Sequence, residues 1–410
     1  MSLTRFLPTP SDRMGILWSL LAIKDCVVLE YGPAGTTHFS MGLFGELGES
    51  QQNRLFTTHM SEDDVVMGDV TRLEKAIIEI DKNLAPKVIF VVSSSVAAVI
   101  GSDIKGVCSY MQERVSAKLI AFEQGGFRGD YSIGLAETYK LLVQEVVQDE
   151  PEEQPDTVNL LGFSMGSYRA LSDRWELEDL LYRAFGLKVG ACLCGETSIG
   201  AIEKMGGAVL NIVLKEEGLV AAKMLNTRFG TPIVGGSPYG YRGTLEWLEK
   251  ISKVLGRPIS KEIQDELNER IQDTATYPMY SMMLREDTPA VVLVGEYRPI
   301  LGIGKFMEDL GFPCTHKLCL HSLRAIPEPD PSVTVCRSEK ERLDILRGLH
   351  RTLILADDPS MSVCPSDNVF LRISMPVVRG LQKAAHLPMM GIRGADYMLE
   401  TVEEYLQMIK

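Results

Sequence analysis

A repeated alternation of short apolar runs with amphipathic segments constrains the fold most. Runs at 26–30, 87–92, 118–121, 158–161, 188–193, 208–213, 231–234, 290–294, 315–320, 352–356 and 369–373 are rich in Val, Ile, Leu and Ala. Few of them alternate cleanly between polar and apolar residues. Strands covered on both faces have that pattern. Segments 70–84, 134–148, 176–185, 218–228, 245–255 and 298–310 carry a helical period instead. Strand–helix alternation of this kind predicts right-handed βαβ units and parallel sheets, an α/β fold.

Two punctuation points divide the pattern. Gln148-Asp149-Glu150-Pro151-Glu152-Glu153-Gln154-Pro155-Asp156 is acidic and holds two prolines, so it cannot continue the preceding helix and reads as a linker. A second break lies at 284–288. With 410 residues of which 45% are hydrophobic, the chain has material for two to three domains of roughly 100–200 residues each. The division expected is 1–150, 157–285 and 286–410, the last with a C-terminal helix. The net charge of −13 argues against nucleic acid and against an anionic membrane surface, both of which need a basic footprint. The apolar segment 14–23 is too short to span a bilayer, and no cleavage pattern follows it; a cytoplasmic protein is expected. Eight scattered cysteines form no disulfide framework.

The loop Tyr31-Gly32-Pro33-Ala34-Gly35-Thr36-Thr37-His38-Phe39 follows the first run. Its position is the carboxyl end of a strand, where ligands of open α/β sheets sit. Further on come Thr58-His59-Met60-Ser61-Glu62-Asp63-Asp64-Val65-Val66-Met67-Gly68, an acidic pair before a short apolar strand, and Val91-Val92-Ser93-Ser94-Ser95-Val96-Ala97-Ala98-Val99-Ile100-Gly101. Gly125-Gly126-Phe127-Arg128-Gly129, Phe229-Gly230-Thr231-Pro232 and Gly391-Ile392-Arg393-Gly394-Ala395 follow. In order and spacing these segments resemble the nitrogenase component 1 family over nearly the whole chain. That resemblance implies three Rossmann-like domains around a central cleft. It also implies an iron–sulfur cluster held by cysteines, at the positions of Thr36 and Ser95 and, in some family subunits, near Leu55. Hydroxyl and alkyl groups do not replace soft thiolates. The expectation is therefore no cluster on this chain alone, with a cluster shared with or supplied by a partner left open. The implied partners are a component 1-type sister subunit, in a homo- or hetero-oligomer, and an ATP-dependent iron protein. The face around residues 32–39 and 93–104 would meet the sister subunit.

Other motifs are weighed on their own chemistry. Gly162-Phe163-Ser164-Met165-Gly166 matches a nucleophile elbow, with His316, His321, His350 and His386 downstream. The expected helix start near 173–175 comes late for such an elbow. Cys314-Thr315-His316-Lys317-Leu318-Cys319-Leu320-His321 spreads its ligands over both faces of a strand. Cys192 and Cys194, on one face near a strand end, are weak metal candidates. In catalytic relatives the segment after 210–214 carries a cluster-anchoring cysteine; here Lys215 follows, and with Arg128, Arg169 and Lys204 it could hold an anionic ligand. Cleft-ligand candidates are Gly32, Gly35, His38, Arg128, Ser164, Arg169, Glu196 and Tyr239, on glycine-rich loops at 125–129, 162–167, 194–198 and 235–241. The favoured functional reading is an oxidoreductase subunit fed by an iron protein together with a cluster-bearing partner subunit; the alternative is a non-redox scaffold or binding protein for a metallocluster or tetrapyrrole precursor. A hydrolase using Ser164 is a distant third.

Overall fold

The computed structural model describes residues 9–37, 54–277, 288–324, 326, 328–336, 338–375 and 387–406. Strands β1 (Cys26–Tyr31), β2 (Leu55–Thr57), β3 (Val88–Ser93) and β4 (Lys118–Phe122) form a sheet in the order β2-β1-β3-β4. β5 (Gln154–Leu161), β6 (Lys188–Cys192), β7 (Ala208–Val213) and β8 (Ile233–Gly235) form a second, β6-β5-β7-β8. β9 (Val291–Gly295), β10 (Cys314–Cys319), β11 (Val333–Val335), β12 (Leu353–Ala356) and β13 (Val369–Arg372) form the third, β11-β10-β9-β12-β13. Every pairing between these strands is parallel. Each strand order reverses direction once, beside β1, β5 and β9. Such a reversal leaves a crevice at the carboxyl ends of the strands there.

Strands β1, β3, β9 and β12 are buried at every residue, and β5 over its carboxyl-terminal half. That is why they read as apolar runs, with Glu30 of β1 the one buried charge among them. Two apolar cores tie the sheets together. One joins Val158, Leu210 and Leu177 to Val291, Leu293 and Leu353, so the second and third sheets share it. Another joins Val28 and Phe90 of the first sheet to Val213 of the second and to Leu225 of helix Leu219–Phe229. Segment 14–23 supplies much of the second core. It forms helix Asp12–Leu20, all nine residues of which are buried. The helix crosses Tyr131–Glu145 with backbones in contact: a Cβ on Gly134 would lie 1.8 Å from the Asp12 carbonyl oxygen.

Several local expectations are corrected. The linker ends earlier than expected, because Gln154 already pairs with Ala208 in β5, ahead of an irregularity before Val158. Residues 62–67 are helical, not a strand. The Ser61 side chain caps Asp64 N–H while the Asp64 carboxylate accepts from Ser61 N at 2.7 Å, a capping box that outweighs the β-branched pair Val65-Val66. The helix expected at 176–185 starts at Ala170, and that expected at 245–255 starts at Gly240. Edge strands β2 and β11, three residues each, were not expected. Most of the second break, 284–288, lies outside the described residues.

Candidate functional site

The crevices of the second and third sheets face one cavity. β5 ends at Leu161, and Gly162 turns the chain with φ +83°. A Cβ on Gly162 would lie 2.6 Å from the backbone nitrogen of Lys215. The loops after β5 and β7 are thus in backbone contact, a closeness that only glycine allows. This places Ser167 beside Lys215. Lys215 Nζ donates to Ser167 Oγ at 2.6 Å and to Glu296 Oε2 at 2.6 Å, and Ser167 Oγ donates to Glu296 Oε1 at 3.3 Å. Glu296 comes from the third sheet, as the residue after β9 that precedes helix Tyr297–Asp309. The Lys215 and Glu296 side chains are only 8% and 14% exposed.

Around this triad the cavity is lined by Phe163, Ser164, Tyr168, Asp173, Tyr239, Met389 and Met390 among others. The free space is about 20 Å³, room for one water molecule. Asp173 Oδ1 accepts from the N–H groups of Met389 and Met390, at 2.6 and 2.9 Å. Burial pushes the Asp173 carboxyl up to about 7, against the opposing pull of those N–H groups and of Lys215. Both hydrogen bonds go to Oδ1, so Oδ2 is available to carry the proton. Burial also drives the Tyr239 phenol well above its ordinary range. The cavity therefore offers an ammonium, a carboxylate, hydroxyls and a readily protonated acid inside an apolar wall. These are groups that recognise polar or charged atoms by hydrogen bonding. They are not soft metal donors, and among the described residues no three His, Cys, Asp or Glu side chains stand close enough to share a metal ion.

The structure sorts the sequence candidates. Ser164, Tyr239 and Lys215 reach the cavity. Arg169 does not line it: its guanidinium donates to the Leu387 carbonyl and the Tyr397 hydroxyl, and lies 4.3 Å from the Tyr397 ring centre. Arg128 and Lys204 are exposed, so the cationic cluster does not assemble. Glu196 sits in a strained loop, φ +60°, whose carbonyls accept from Arg174. Cys192 and Cys194 do not share a face. The strand stops at Cys192, Cys194 turns with φ +65°, and the thiols enter different cores. Burial pushes the Cys192 thiol up to about 12, the behaviour of a small core residue.

The nucleophile-elbow reading fails on geometry. Ser164 Oγ accepts from Gly166 N–H. The buried His321 accepts from Tyr297 N–H at Nε2 and donates from Nδ1 to the Ser322 carbonyl, so it is committed to backbone. His316 and His350 are exposed, and His386 lies outside the described residues. Ser167 falls in the expected loop 162–167, whereas reading the sequence missed Asp173, Glu296, Met389 and Met390 as lining residues. For Glu296 a signal was present: a charged residue directly after a fully apolar run.

At the first sheet, Gly32 N–H donates to Thr58 Oγ1, and a Cβ on Gly32 would lie 2.3 Å from Ser94 Cβ. Thr36 Oγ1 donates to the Pro33 carbonyl at 2.8 Å and lies 3.2 Å from Glu30 Oε1. Ser95 Oγ donates to the Gly125 carbonyl at 2.7 Å, and Leu55 is buried in the apolar core. Space around Gly35 is open, and His38 lies outside the described residues. The donor set at the three positions does not fit an iron–sulfur cluster.

Comparison with known proteins agrees with this architecture. Residues 11–407 match the family described as nitrogenase component 1 type oxidoreductase. The nitrogenase iron-molybdenum cofactor biosynthesis protein NifE of Clostridium pasteurianum is 30% identical over 289 residues, 69% of this chain and 62% of that protein. NifE of a Nostoc strain is 32% identical over 249 residues, 60% of this chain and 51% of that protein. The chain thus spans about half to three-fifths of the length of these relatives. A solved structure of nitrogenase Cp1 at pH 6.5 superposes with a TM-score of 0.82 at 17% identity, covering 99% of this chain and 94% of that one. The chain belongs to the nitrogenase component 1-type oxidoreductase family.

Proposed function

We propose that this chain is a non-redox scaffold or binding subunit of its family, and that it holds a precursor ligand in the cavity between the second and third sheets. The observation that carries the reading is the Lys215–Glu296–Ser167 triad, whose ion pair is largely shielded from solvent. It stands at a strand-end crevice and presents charge and hydrogen bonds where a metal-anchoring site would present soft donors. The similarity to NifE proteins, named for cofactor biosynthesis, supports it. The lining suits a ligand with carboxylate or amide groups, such as a tetrapyrrole precursor carries. With room for one water, the cavity must open to admit it, by parting the loop after β5 from residues 389–390.

Anaerobic titration with candidate precursors tests this. Lys215→Met should weaken binding by about 1.5–3 kcal/mol, the loss of one charged hydrogen bond, or roughly 10- to 150-fold. Unchanged affinity would remove the cavity from consideration. The second reading, an oxidoreductase subunit, rests on the family match across residues 11–407. ATP-dependent reduction of such a ligand in the presence of a cognate iron protein would establish it instead. For either reading we propose a sister subunit of the same fold. It would bind over Val99, Ile100 and Phe127, which are 72%, 37% and 67% exposed beside the first-sheet loops. No helix among the described residues is long and apolar enough to cross a membrane, and a cytoplasmic location is proposed with the same reading.

A further inference from the structure

We infer that the position at which the family holds its iron–sulfur cluster is, in this chain, a closed charge-paired plug that accepts no cluster, either within one chain or shared between two copies. The inference rests on family membership and on local geometry, and is independent of what the cavity between the second and third sheets binds.

The plug is built around Glu30, which β1 buries completely. Arg13, from helix Asp12–Leu20, pairs with Glu30 Oε1; the two side chains are 8% and 0% exposed. Thr37 Oγ1 donates to Glu30 Oε2 at 2.9 Å, and Thr36 Oγ1 stands 3.2 Å from Oε1. Both oxygens of the carboxylate are therefore engaged by the chain's own groups. Thr36, at the position of a family cysteine, is turned onto the Pro33 carbonyl, beside this carboxylate. Ser95, at a second such position, is turned onto the Gly125 carbonyl, and Leu55, at the third, is buried at 7% exposure.

The loops that would have to surround a cluster touch one another instead. A Cβ on Gly32 would meet Ser94 Oγ at 2.3 Å, and one on Gly125 would meet Ala98 Cβ at 2.2 Å. An iron–sulfide core needs anionic sulfur ligands. Here it would meet a neutralised carboxylate, two engaged hydroxyls and an alkyl group. Supplying thiolates alone therefore does not restore the site, because the Arg13–Glu30 pair and the contacting loops remain.

The test is anaerobic reconstitution of the full chain with ferrous iron and sulfide, at high protein concentration, read by acid-labile sulfide per chain and by the visible absorption spectrum. Wild type and Thr36→Cys/Ser95→Cys should both stay at background. Stoichiometric sulfide in wild type that is lost on Ser95→Ala would overturn the inference, and so would a cluster in the double-cysteine variant with Arg13 and Glu30 intact. A second measurement addresses the plug directly. Arg13→Met should lower the melting temperature, Arg13→Lys less so, and Arg13→Met/Glu30→Met should recover part of the loss because no buried charge is left unpaired. An Arg13→Met protein that melts with wild type would refute a charge-paired plug.

Discussion

Replacing Lys215 by methionine probes the triad that joins the second sheet to the third. The substitution keeps most of the side-chain volume and removes the ammonium. Glu296 would keep only the 3.3 Å hydrogen bond from Ser167. The pair is 8% and 14% exposed, so it falls among buried pairs, where loss of one partner costs about 3–5 kcal/mol, and not among surface pairs worth about 0–1 kcal/mol. Burial already pushes the neighbouring Glu217 carboxyl up, and the Glu296 charge adds to that push. At about 2 °C per kcal/mol, the low end for large chains, the melting temperature should fall by roughly 6–10 °C. Lys215→Met/Glu296→Gln removes both charges and should fall less than Lys215→Met alone. The assay is a thermal melt or urea titration of the four proteins of the double-mutant cycle, followed by fluorescence. A Lys215→Met loss below about 1 kcal/mol, the value of an exposed pair, would refute the reasoning. Single effects that simply add in the double variant would refute it too.

Three further outcomes are expected. Asp173 is raised from 3.8 to about 7 by burial, so the folded protein holds this proton over a range in which the unfolded chain has released it. Stability from this group is complete below pH about 4 and falls by roughly 3–4 kcal/mol as pH rises to about 7. Asp173→Asn, which keeps the Oδ1 acceptor, should flatten that part of the melting-temperature profile, and an unchanged slope counts against the assignment. Gly162→Ala puts a Cβ 2.6 Å from Lys215 N at φ +83° and should destabilise by about 2–4 kcal/mol; calorimetry that shows no loss would mean the two loops do not meet. We propose that the units 1–150, 157–285 and 286–410 unfold together, because two apolar cores cross between the sheets. Limited proteolysis that releases a stable, folded fragment 157–285 would contradict this.

The fold was legible because its signal is local and repeated. Apolar runs such as Val291–Gly295 identify themselves as strands buried on both faces. Errors fell where a side chain overrode propensity. The Ser61–Asp64 capping box turned 62–67 into a helix, and the short edge strands β2 and β11 were too brief to carry a pattern. Glycine-rich loops marked the strand ends, so Ser164, Tyr239 and Lys215 were within reach of the argument.

The sequence by itself determined the α/β class, the family motifs in their order, and the absence of cysteine at positions 36, 55 and 95. Each is a property of single residues or of periods a few residues long. Only the tertiary structure decided that Lys215 pairs with Glu296, 81 residues away, and that Arg13 closes onto Glu30 in the first sheet. It also decided that Arg169 is committed to Leu387 and Tyr397, 218 and 228 residues away. Charge partners are chosen by which strand ends are brought to the same crevice. That choice depends on sheet order and helix packing across the whole chain, and no local pattern encodes it.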